Sequence, residues 1–322
     1  MTVRAHDDVA LQVVGLQSFL STPFTAEGEI DLPRLREHLD WVFDPAGRSP
    51  AGCFPACGAG EVWSLDLDEY ARIVETAVQA VGARVPVIAG VGYGTRMARS
   101  MAQTAAALGA DGILIFPPYL TAGPPDGLFD HYRTIAESVD IAVLIYQREG
   151  ARLDRQTILR LAAIPNVIGL KDGTGDLAII DSLRTDLGDR FLLGNGMPVA
   201  ETWAPAYLEH GVRSYSPGGI DFLPELAWPF DDALARGDTE LVERILDEFF
   251  RPLKALRERQ VGYGVSINKT ALAIRNLPIG DPRAPLIPLK PEDRDDLSTL
   301  LERGLELAAD VSGKSRTNLL LR

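Results

Sequence analysis

The sequence predicts an α/β protein, a (β/α)8 TIM barrel with a C-terminal extension of three helices. Short apolar runs rich in β-branched residues alternate with amphipathic stretches of helical period through eight consecutive units, over roughly 230 residues, as in such barrels. From about Asp238 only helical patterns follow. A doubly wound open sheet is the alternative. That fold usually has fewer strands and a glycine-rich phosphate turn after the first one, whereas the first run here ends in Ser21–Thr22–Pro23–Phe24.

Eight apolar runs are the predicted strands. Each has the short length and β-branched content that favour a strand over a helix. In chain order they are Val13–Leu20, Gly52–Pro55, Val85–Val91, Gly112–Phe116, Ile141–Tyr146, Val167–Lys171, Arg190–Leu193 and Val212–Tyr215.

Helical stretches follow these runs, beginning near Leu32, Asp66, Arg96, Gly127, Asp154, Asp176, Val199 and Phe222. Asp66, Asp154 and Asp176 fit N-caps, because a carboxylate there accepts hydrogen bonds from the free N–H groups of the first turn. Glycine just after a helical stretch suits a left-handed residue beyond the helix end. The glycines placed in this way are Gly82, Gly109, Gly188 and Gly211.

The remainder of the chain predicts a separate helical region. Leu241–Glu258, Val265–Leu277 and Glu292–Leu307 have helical patterns without strands between them, and Pro278–Pro291 is an irregular proline-rich connection. We therefore expect a catalytic barrel over residues 1–236 and a C-terminal helical region over residues 237–322.

Composition narrows the class of protein. A hydrophobic content of 46% supports a substantial core, and a net charge of −13 argues against nucleic acid as a partner. No apolar run reaches the roughly 18–20 residues of a membrane span, and Met1–Ala10 lacks the apolar segment of a signal peptide. We expect a cytoplasmic protein that binds neither membrane nor nucleic acid.

Metal is not expected at any site. The two cysteines, Cys53 and Cys57, stand in a C-x3-C spacing without a second pair of ligands, and the four histidines are scattered. Two small core or loop residues are the simpler interpretation of these cysteines.

Two side chains at consecutive strand ends suggest catalysis. Tyr146 ends the fifth run and Lys171 ends the sixth, and the ends of parallel strands meet at one edge of a barrel. An isolated lysine after a strand is usually a surface residue, and a strand-end tyrosine is often an anchor. A partly desolvated amine, however, has a lowered pKa and attacks carbonyl carbons to form a Schiff base, with a phenol as proton shuttle.

Other strand ends supply candidate substrate-binding groups. The small residues of Gly58–Ala59–Gly60 allow backbone N–H groups to approach a carboxylate, although an ordinary turn is an equal alternative. Arg148 offers a planar fork for a second carboxylate, or is simply a solvated loop residue. The remaining candidates at the predicted catalytic edge are Thr22, Asn195, Ser216 and Gly218.

Taken together, these residues resemble the dihydrodipicolinate synthase/N-acetylneuraminate lyase superfamily of Schiff-base enzymes over nearly the whole chain. The motifs that carry the resemblance are Thr22–Pro23–Phe24, Gly58–Ala59–Gly60–Glu61, Pro117–Pro118–Tyr119–Leu120, Tyr146–Gln147–Arg148 and Gly169–Leu170–Lys171–Asp172–Gly173. Within it, the chain most resembles the 5-dehydro-4-deoxyglucarate dehydratases. Asp172–Gly173 follows the lysine, Leu120 replaces a second tyrosine, and Gly262–Ile267 resembles their Gly–Tyr–Ala–Val–Ser–Ile.

The resemblance implies a mechanism without metal or organic cofactor. Lys171 forms a covalent imine with a 2-keto acid derived from a sugar diacid, and Tyr146 orients the substrate and moves protons. Dehydration and decarboxylation of 5-dehydro-4-deoxy-D-glucarate then give 2,5-dioxopentanoate, water and CO2. The resemblance also implies a homo-oligomer, a dimer or tetramer. The alternatives are a retro-aldolase or synthase of the same superfamily acting on another 2-keto-3-deoxy acid, and a catalytically silent ligand-binding barrel.

Three departures from the dehydratase pattern fall at the predicted pocket. Ala59 stands where threonine is usual, Gln147 where asparagine is usual, and Pro217–Gly219 replaces a Ser–Ala turn. We expect these changes to affect the identity of the substrate more than the imine chemistry.

Overall fold

Six parallel strands form one sheet whose spatial order follows the chain order. The computed structural model describes residues 4–43, 47–148 and 150–313. Each strand pairs in parallel with the next along the chain, as in a series of strand–helix–strand units. The strands are β1 (Ile88–Val91), β2 (Gly112–Ile115), β3 (Ala142–Gln147), β4 (Val167–Asp172), β5 (Leu192–Asn195) and β6 (Ser214–Tyr215).

The first two predicted strands are not regular strands, so the prediction of eight regular strands is wrong at this point. Residues 13–20 and 52–55 contribute single parallel bridges, Leu16 to Tyr215, Ser18 to Cys53, and Cys53 to Val87. Parallel pairing thus continues from β6 back towards β1 through isolated bridges. Pro55 and Pro86 have no N–H to donate, which shortens the ladders on both sides of Cys53 and delays the start of β1 to Ile88.

Nine helices flank the described strands and bridges. They are α1 (His6–Gln12), α2 (Leu32–Val42), α3 (Leu67–Val81), α4 (Thr95–Ala107), α5 (Pro125–Ala136), α6 (Arg155–Ala162), α7 (Leu177–Leu187), α8 (Ala204–Glu209) and α9 (Pro224–Arg236). The sequence predicted α2 to α9 but not α1. Helix α1 has one fully buried residue, Val9, and packs against β3 and β4.

The predicted helix ends are confirmed with one exception. Asp66, Asp154 and Asp176 cap α3, α6 and α7, and Asp66 forms a full capping box with Glu69. Three of the four glycines adopt a positive φ. Gly82 has φ −58° instead, so the prediction of a left-handed residue there is wrong: its N–H continues the helical pattern by donating to Val78 O.

The described part of the C-terminal region, up to residue 313, contains four helices. They are α10 (Thr239–Ile245), α11 (Arg251–Glu258), α12 (Tyr263–Ile274) and α13 (Pro291–Ser312). A π-helical stretch, Leu246–Phe250, joins α10 to α11, so the first of the three predicted helices is interrupted, whereas the other two are confirmed. The predicted domain boundary after residue 236 stays a prediction. Gly237 ends α9 there, yet α9 packs its apolar face against α10 and α13.

Successive side chains of each strand point to opposite faces of the sheet, which divides the apolar residues into two layers. Ile88, Leu114 and Leu144 belong to a cluster inside the curved sheet, whereas Val143 and Ile145 pack beneath the outer helices. A further core joins α9 to the C-terminal helices. Among the described residues, no helix combines the length and the apolar content needed to cross a membrane.

Candidate active site

Strands β3 and β4 bring Tyr146 and Lys171 side by side. The two residues are direct partners in the parallel ladder, and both side chains point to the inner side of the curved sheet. The Lys171 amine lies 4.1 Å from the centre of the Tyr146 ring and 4.7 Å from that of Phe19. The amine is therefore held between two aromatic faces at the carboxyl edge of the sheet, where the sequence predicted this pair.

Lys171 is a buried amine with a lowered pKa. The residue is 8% exposed, and its pKa is lowered to about 7. Burial is the main cause and Arg148 acts in the same direction, whereas Cys57 and Asp172 oppose the shift. No described carboxylate forms an ion pair with it. A large fraction of the amine is consequently neutral near pH 7, as a nucleophile requires.

Asp172 is the nearest acid in sequence, but it faces away from the amine. Successive residues of a strand point to opposite sides, and the Asp172 carboxylate lies outside the inner layer. There it accepts hydrogen bonds from Gln147 Nε2 at 2.8 Å, from Thr174 Oγ1 at 2.7 Å and from the Tyr207 hydroxyl. These partners occupy the carboxylate, so Asp172 forms no ion pair with Lys171.

Tyr146 is a buried phenol with its proton in place. Its hydroxyl donates to Gly196 O at 3.0 Å, and Phe116 packs edge-on against its ring. Burial raises the pKa of Tyr146, so the group is protonated at neutral pH. Gly196 also makes room for the amine, because a Cβ atom there would lie 2.7 Å from Lys171 Nζ. The sequence signal for Gly196 was its place, next to Asn195, at the end of the seventh predicted strand.

The Gly58–Ala59–Gly60 turn presents two of its three residues to the cavity. Gly58 and Ala59 line it, whereas Gly60 packs inward, where a Cβ atom would lie 3.0 Å from Leu20 O. Thr22 does not line the cavity either. Its hydroxyl donates to Gly60 O at 2.7 Å and so fixes the turn from behind.

An ion pair from the C-terminal region holds the same turn. Glu61 has a φ of 55° and is completely buried. Its carboxylate lies 2.9 Å from Lys269 Nζ and accepts a hydrogen bond from Arg283 N at 2.9 Å. Sequence reasoning noted Glu61 but missed Lys269 and Arg283, which lie more than 200 residues further along the chain.

The turns after β5 and β6 form another side of the cavity. Ser216 and Gly218 line it, and their role in substrate binding stays a prediction. Asn195 does not line it: its amide donates to Ala200 O at 2.9 Å and its carbonyl accepts from Met197 N, so it shapes the turn. Behind Gly218, Glu201 accepts a hydrogen bond from Gly219 N, and burial raises the pKa of Glu201 to about 7.

Two guanidinium groups line the cavity. Arg148, at the end of β3, is exposed, as the sequence allowed. The second is Arg257 on α11, which sequence reasoning missed because it lies outside the predicted strand ends. Burial lowers the pKa of Arg257, and the charge of Arg148 lowers it further. The guanidinium groups are therefore close enough to repel each other.

These groups share one cavity of about 510 Å³ between the carboxyl edge of the strands and helices α11 and α12. A partly neutral amine, a protonated phenol, a turn with small residues and two guanidinium groups surround the space. This arrangement suits an anionic carbonyl compound, which the amine can attack while nearby N–H groups and cations bind its carboxylates.

Comparison with protein families gives a match over almost the whole chain. A model described as the dihydrodipicolinate synthetase family matches residues 12–304.

Two relatives have similar lengths and carry related names. A protein of Streptomyces avermitilis named probable 5-dehydro-4-deoxyglucarate dehydratase 2 is 42% identical over 293 residues, which cover 91% of this chain and 88% of that protein. A protein of Pseudomonas syringae pv. tomato, named probable 5-dehydro-4-deoxyglucarate dehydratase, is 42% identical over 290 residues, covering 90% and 95% of the two chains.

Solved structures share the fold. Dihydrodipicolinate synthase from Bacillus clausii superposes with a TM-score of 0.83 at 27% identity, covering 91% of this chain and 98% of that one. The enzyme of the same name from Oceanobacillus iheyensis gives a TM-score of 0.84 at 24% identity, covering 92% and 98%.

Proposed function

Because the chain belongs to the dihydrodipicolinate synthetase family, we propose that it is a Schiff-base lyase that dehydrates and decarboxylates 5-dehydro-4-deoxy-D-glucarate to 2,5-dioxopentanoate. The observation that carries the proposal is the pairing of the desolvated Lys171 amine with the Tyr146 phenol. The names of the relatives support the choice of substrate.

The first step binds the substrate covalently. The backbone of Gly58 and Ala59 receives the carboxylate beside the ketone. The neutral Lys171 amine attacks the ketone carbon, and the ketone oxygen leaves as water, which gives an iminium ion. Because the protonated imine accepts electrons, the proposed route needs no metal or organic cofactor.

Dehydration and decarboxylation then use the same electron sink. The methylene carbon beside the iminium loses a proton, and the resulting enamine expels the next hydroxyl as water. This leaves a carbon–carbon double bond conjugated with the iminium. Electrons of the bond to the distal carboxylate flow through that double bond to the imine nitrogen, and CO2 leaves. Protonation and hydrolysis return the amine of Lys171 and release 2,5-dioxopentanoate.

Tyr146 is proposed as the proton carrier of these steps. Its hydroxyl is protonated and next to the amine, so it can protonate the departing hydroxyl and later return a proton to carbon. Its present acceptor, Gly196 O, keeps the phenol oriented towards the space above Lys171.

The departures from the dehydratase pattern differ in their consequences. Gln147 is buried and bonded to Asp172 and to Leu153 N, so it supports β4 without lining the cavity. Ala59, Pro217 and Gly218 do line it. We therefore assign the effect on substrate choice to these three and not to Gln147.

The proposal also extends to the closure of the barrel, the oligomeric state and the cellular location of the protein. We propose a complete (β/α)8 barrel that closes through the isolated bridges of residues 13–20 and 52–55, over residues 1–236, followed by the helical region. We further propose a cytoplasmic homo-oligomer, a dimer or tetramer, that takes part in the breakdown of a sugar diacid.

Product analysis and borohydride trapping test the function together. Wild-type protein should convert 5-dehydro-4-deoxy-D-glucarate to CO2 and 2,5-dioxopentanoate, and borohydride with pyruvate should leave a reduced adduct on Lys171. Lys171→Ala should abolish the adduct, whereas Lys254→Ala, at an exposed ion pair, should retain it. Tyr146→Phe should slow turnover by about 10²-fold or more while leaving adduct formation.

The alternatives give different results. Release of pyruvate in place of CO2 would identify a retro-aldolase, which begins with the same imine. Failure of every 2-keto acid to form an adduct on Lys171 would contradict the Schiff-base proposal and leave the silent ligand-binding barrel.

A further inference from the structure

We propose that Arg257 binds the distal carboxylate of the substrate and that Gly264 sets the position of its guanidinium group, an inference that rests on the proposed dicarboxylate function. Arg257 lies on α11 and Gly264 near the start of α12, so the second anion site belongs to the C-terminal helices. The imine site belongs to the strands on the other side of the cavity.

Arg257 is a cavity-lining cation without a partner among the described residues. Its side chain is partly buried, yet no hydrogen bond or ion pair joins it to a described residue. Its neighbours differ: Arg259 pairs with Asp293 and Asp296, and Arg251 pairs with Glu243 and Asp247. Burying a guanidinium group without an anion is unfavourable, which suggests that an anion binds there.

Other charges near Arg257 leave the site positive. Glu258 pairs with Lys254. Glu201 accepts from Gly219 N, and burial raises its pKa to about 7, so it carries only part of a negative charge near neutral pH. Arg148 adds a second positive charge close enough to lower the pKa of Arg257. A carboxylate between the two guanidinium groups would relieve this repulsion and could accept hydrogen bonds from both.

Gly264 leaves the space that the guanidinium group occupies. A Cβ atom on Gly264 would lie 2.8 Å from both Cζ and Nη2 of Arg257 and 3.1 Å from Nε. The backbone does not require glycine there, because Gly264 is in the first turn of α12 and has no positive φ. The absence of a side chain at Gly264 therefore leaves space for the guanidinium group of Arg257, which packs directly on the start of α12.

A pair of six-carbon keto acids tests the site without requiring turnover. 2-Oxoadipate carries a distal carboxylate and 2-oxohexanoate does not, and both have the ketone that Lys171 attacks. For the wild-type protein, we expect half-maximal borohydride trapping to require a concentration of 2-oxoadipate at least about tenfold lower than that of 2-oxohexanoate. Arg257→Met should remove most of this preference and leave trapping of 2-oxohexanoate within about twofold. Arg259→Met, at an ion-paired arginine two residues away, should keep the preference.

Gly264→Ala tests the position of the guanidinium group alone, because the charge of Arg257 is unchanged in this variant. The added methyl group should displace the guanidinium and weaken trapping of 2-oxoadipate. It should not lower the free energy of unfolding, because alanine is the better helix former. A variant that loses the preference and keeps its stability thus supports the proposed role of Gly264.

Two results would overturn the inference: equal trapping of both acids by the wild-type protein, or a preference that survives Arg257→Met and is lost only in Arg148→Met. Failure of the dehydratase function is a separate result. A protein that prefers 2-oxoadipate through Arg257 but releases neither CO2 nor 2,5-dioxopentanoate retains this anion site and loses the proposed reaction.

Discussion

At the scale of single residues, the burial of Lys171, the proposed nucleophile, has a cost in stability. The folded protein buries an amine that forms no ion pair with a described carboxylate, and burial lowers the pKa of Lys171 to about 7. An unfolded chain would hold the proton up to a pH of about 10.4. Folding therefore works against protonation, and the same desolvation that produces the nucleophile destabilises the native state.

Lys171→Met should consequently be inactive and more stable. The sign follows from the lowered pKa: the destabilisation by Lys171 is fully present below pH 7 and disappears as the pH rises from about 7 to about 10.4. We expect the variant to gain about 1–3 kcal/mol of unfolding free energy at pH 6 and less at pH 9. Urea unfolding at the two pH values measures this.

The wild-type protein provides the matching control. Its rate of pyruvate trapping should rise through about pH 7 as the amine loses its proton. A variant that is less stable than wild type at both pH values would show that packing of the Lys171 side chain outweighs its desolvation.

At the scale of elements, helix α12 supports the turn that is proposed to bind the keto-acid carboxylate. Lys269 on this helix forms a buried ion pair with Glu61, which directly follows that turn and has a left-handed backbone. Lys269 Nζ also donates to Asp281 O, so the helix is joined to the proline-rich connection as well. The turn is thus held from a part of the chain that contributes no strand.

Lys269→Met should weaken both stability and substrate binding. Removing the cation leaves Glu61 buried without its partner, which costs about 3–5 kcal/mol. The double variant Lys269→Met/Glu61→Gln should recover part of that loss. Lys254→Met, which breaks an exposed pair, should cost about 1 kcal/mol or less. Unfolding free energies measure these differences.

Borohydride trapping distinguishes an effect of the ion pair on the shape of the turn from its effect on the stability of the whole protein. We expect half-maximal trapping by pyruvate to require a higher concentration in the folded double variant than in wild type. An unchanged concentration would mean that the Gly58–Ala59 turn keeps its shape without the ion pair.

At the scale of the whole molecule, the cavity of the candidate site and the C-terminal core share helices and side chains. Helices α11 and α12 form one wall of the cavity, and the core that contains them also includes Tyr215 of β6 and Leu16. Trp41 packs against this core and against the large core beneath the outer helices. We therefore expect one cooperative unfolding transition for both regions.

Gly304→Ala tests this coupling from a distance. Gly304 on α13 lies where a Cβ atom would be 2.7 Å from the side chains of Leu223 and Phe249. The substitution should cost about 1–3 kcal/mol through overpacking. The thermal loss of helical ellipticity and the loss of trapping at Lys171 should shift together to lower temperature. Trapping that persists above the ellipticity transition would show that the strands fold independently of α13.

Much of the site was predictable because a local rule decides it. Residues at the ends of consecutive parallel strands meet at one edge, so the sequence alone brought Tyr146 and Lys171 together and brought Gly58, Arg148 and Ser216 to the same cavity. The same rule selected Thr22 and Asn195, which lie near the edge but turn away from the cavity. Strand position predicts the neighbourhood of a side chain, and its hydrogen-bond partners decide its direction.

By itself, the sequence determined the alternating architecture, the capped helix starts and the pairing of amine and phenol, because period, capping and strand order are local properties. Only the tertiary structure decided that the first two strands are reduced to bridges and that Arg257, Gly264 and Lys269 belong to the site. These residues lie on helices whose apolar periodicity predicts which face is buried, but not which part of the protein that face packs against. Their contacts with the strand ends span long stretches of chain, and only folding brings them together.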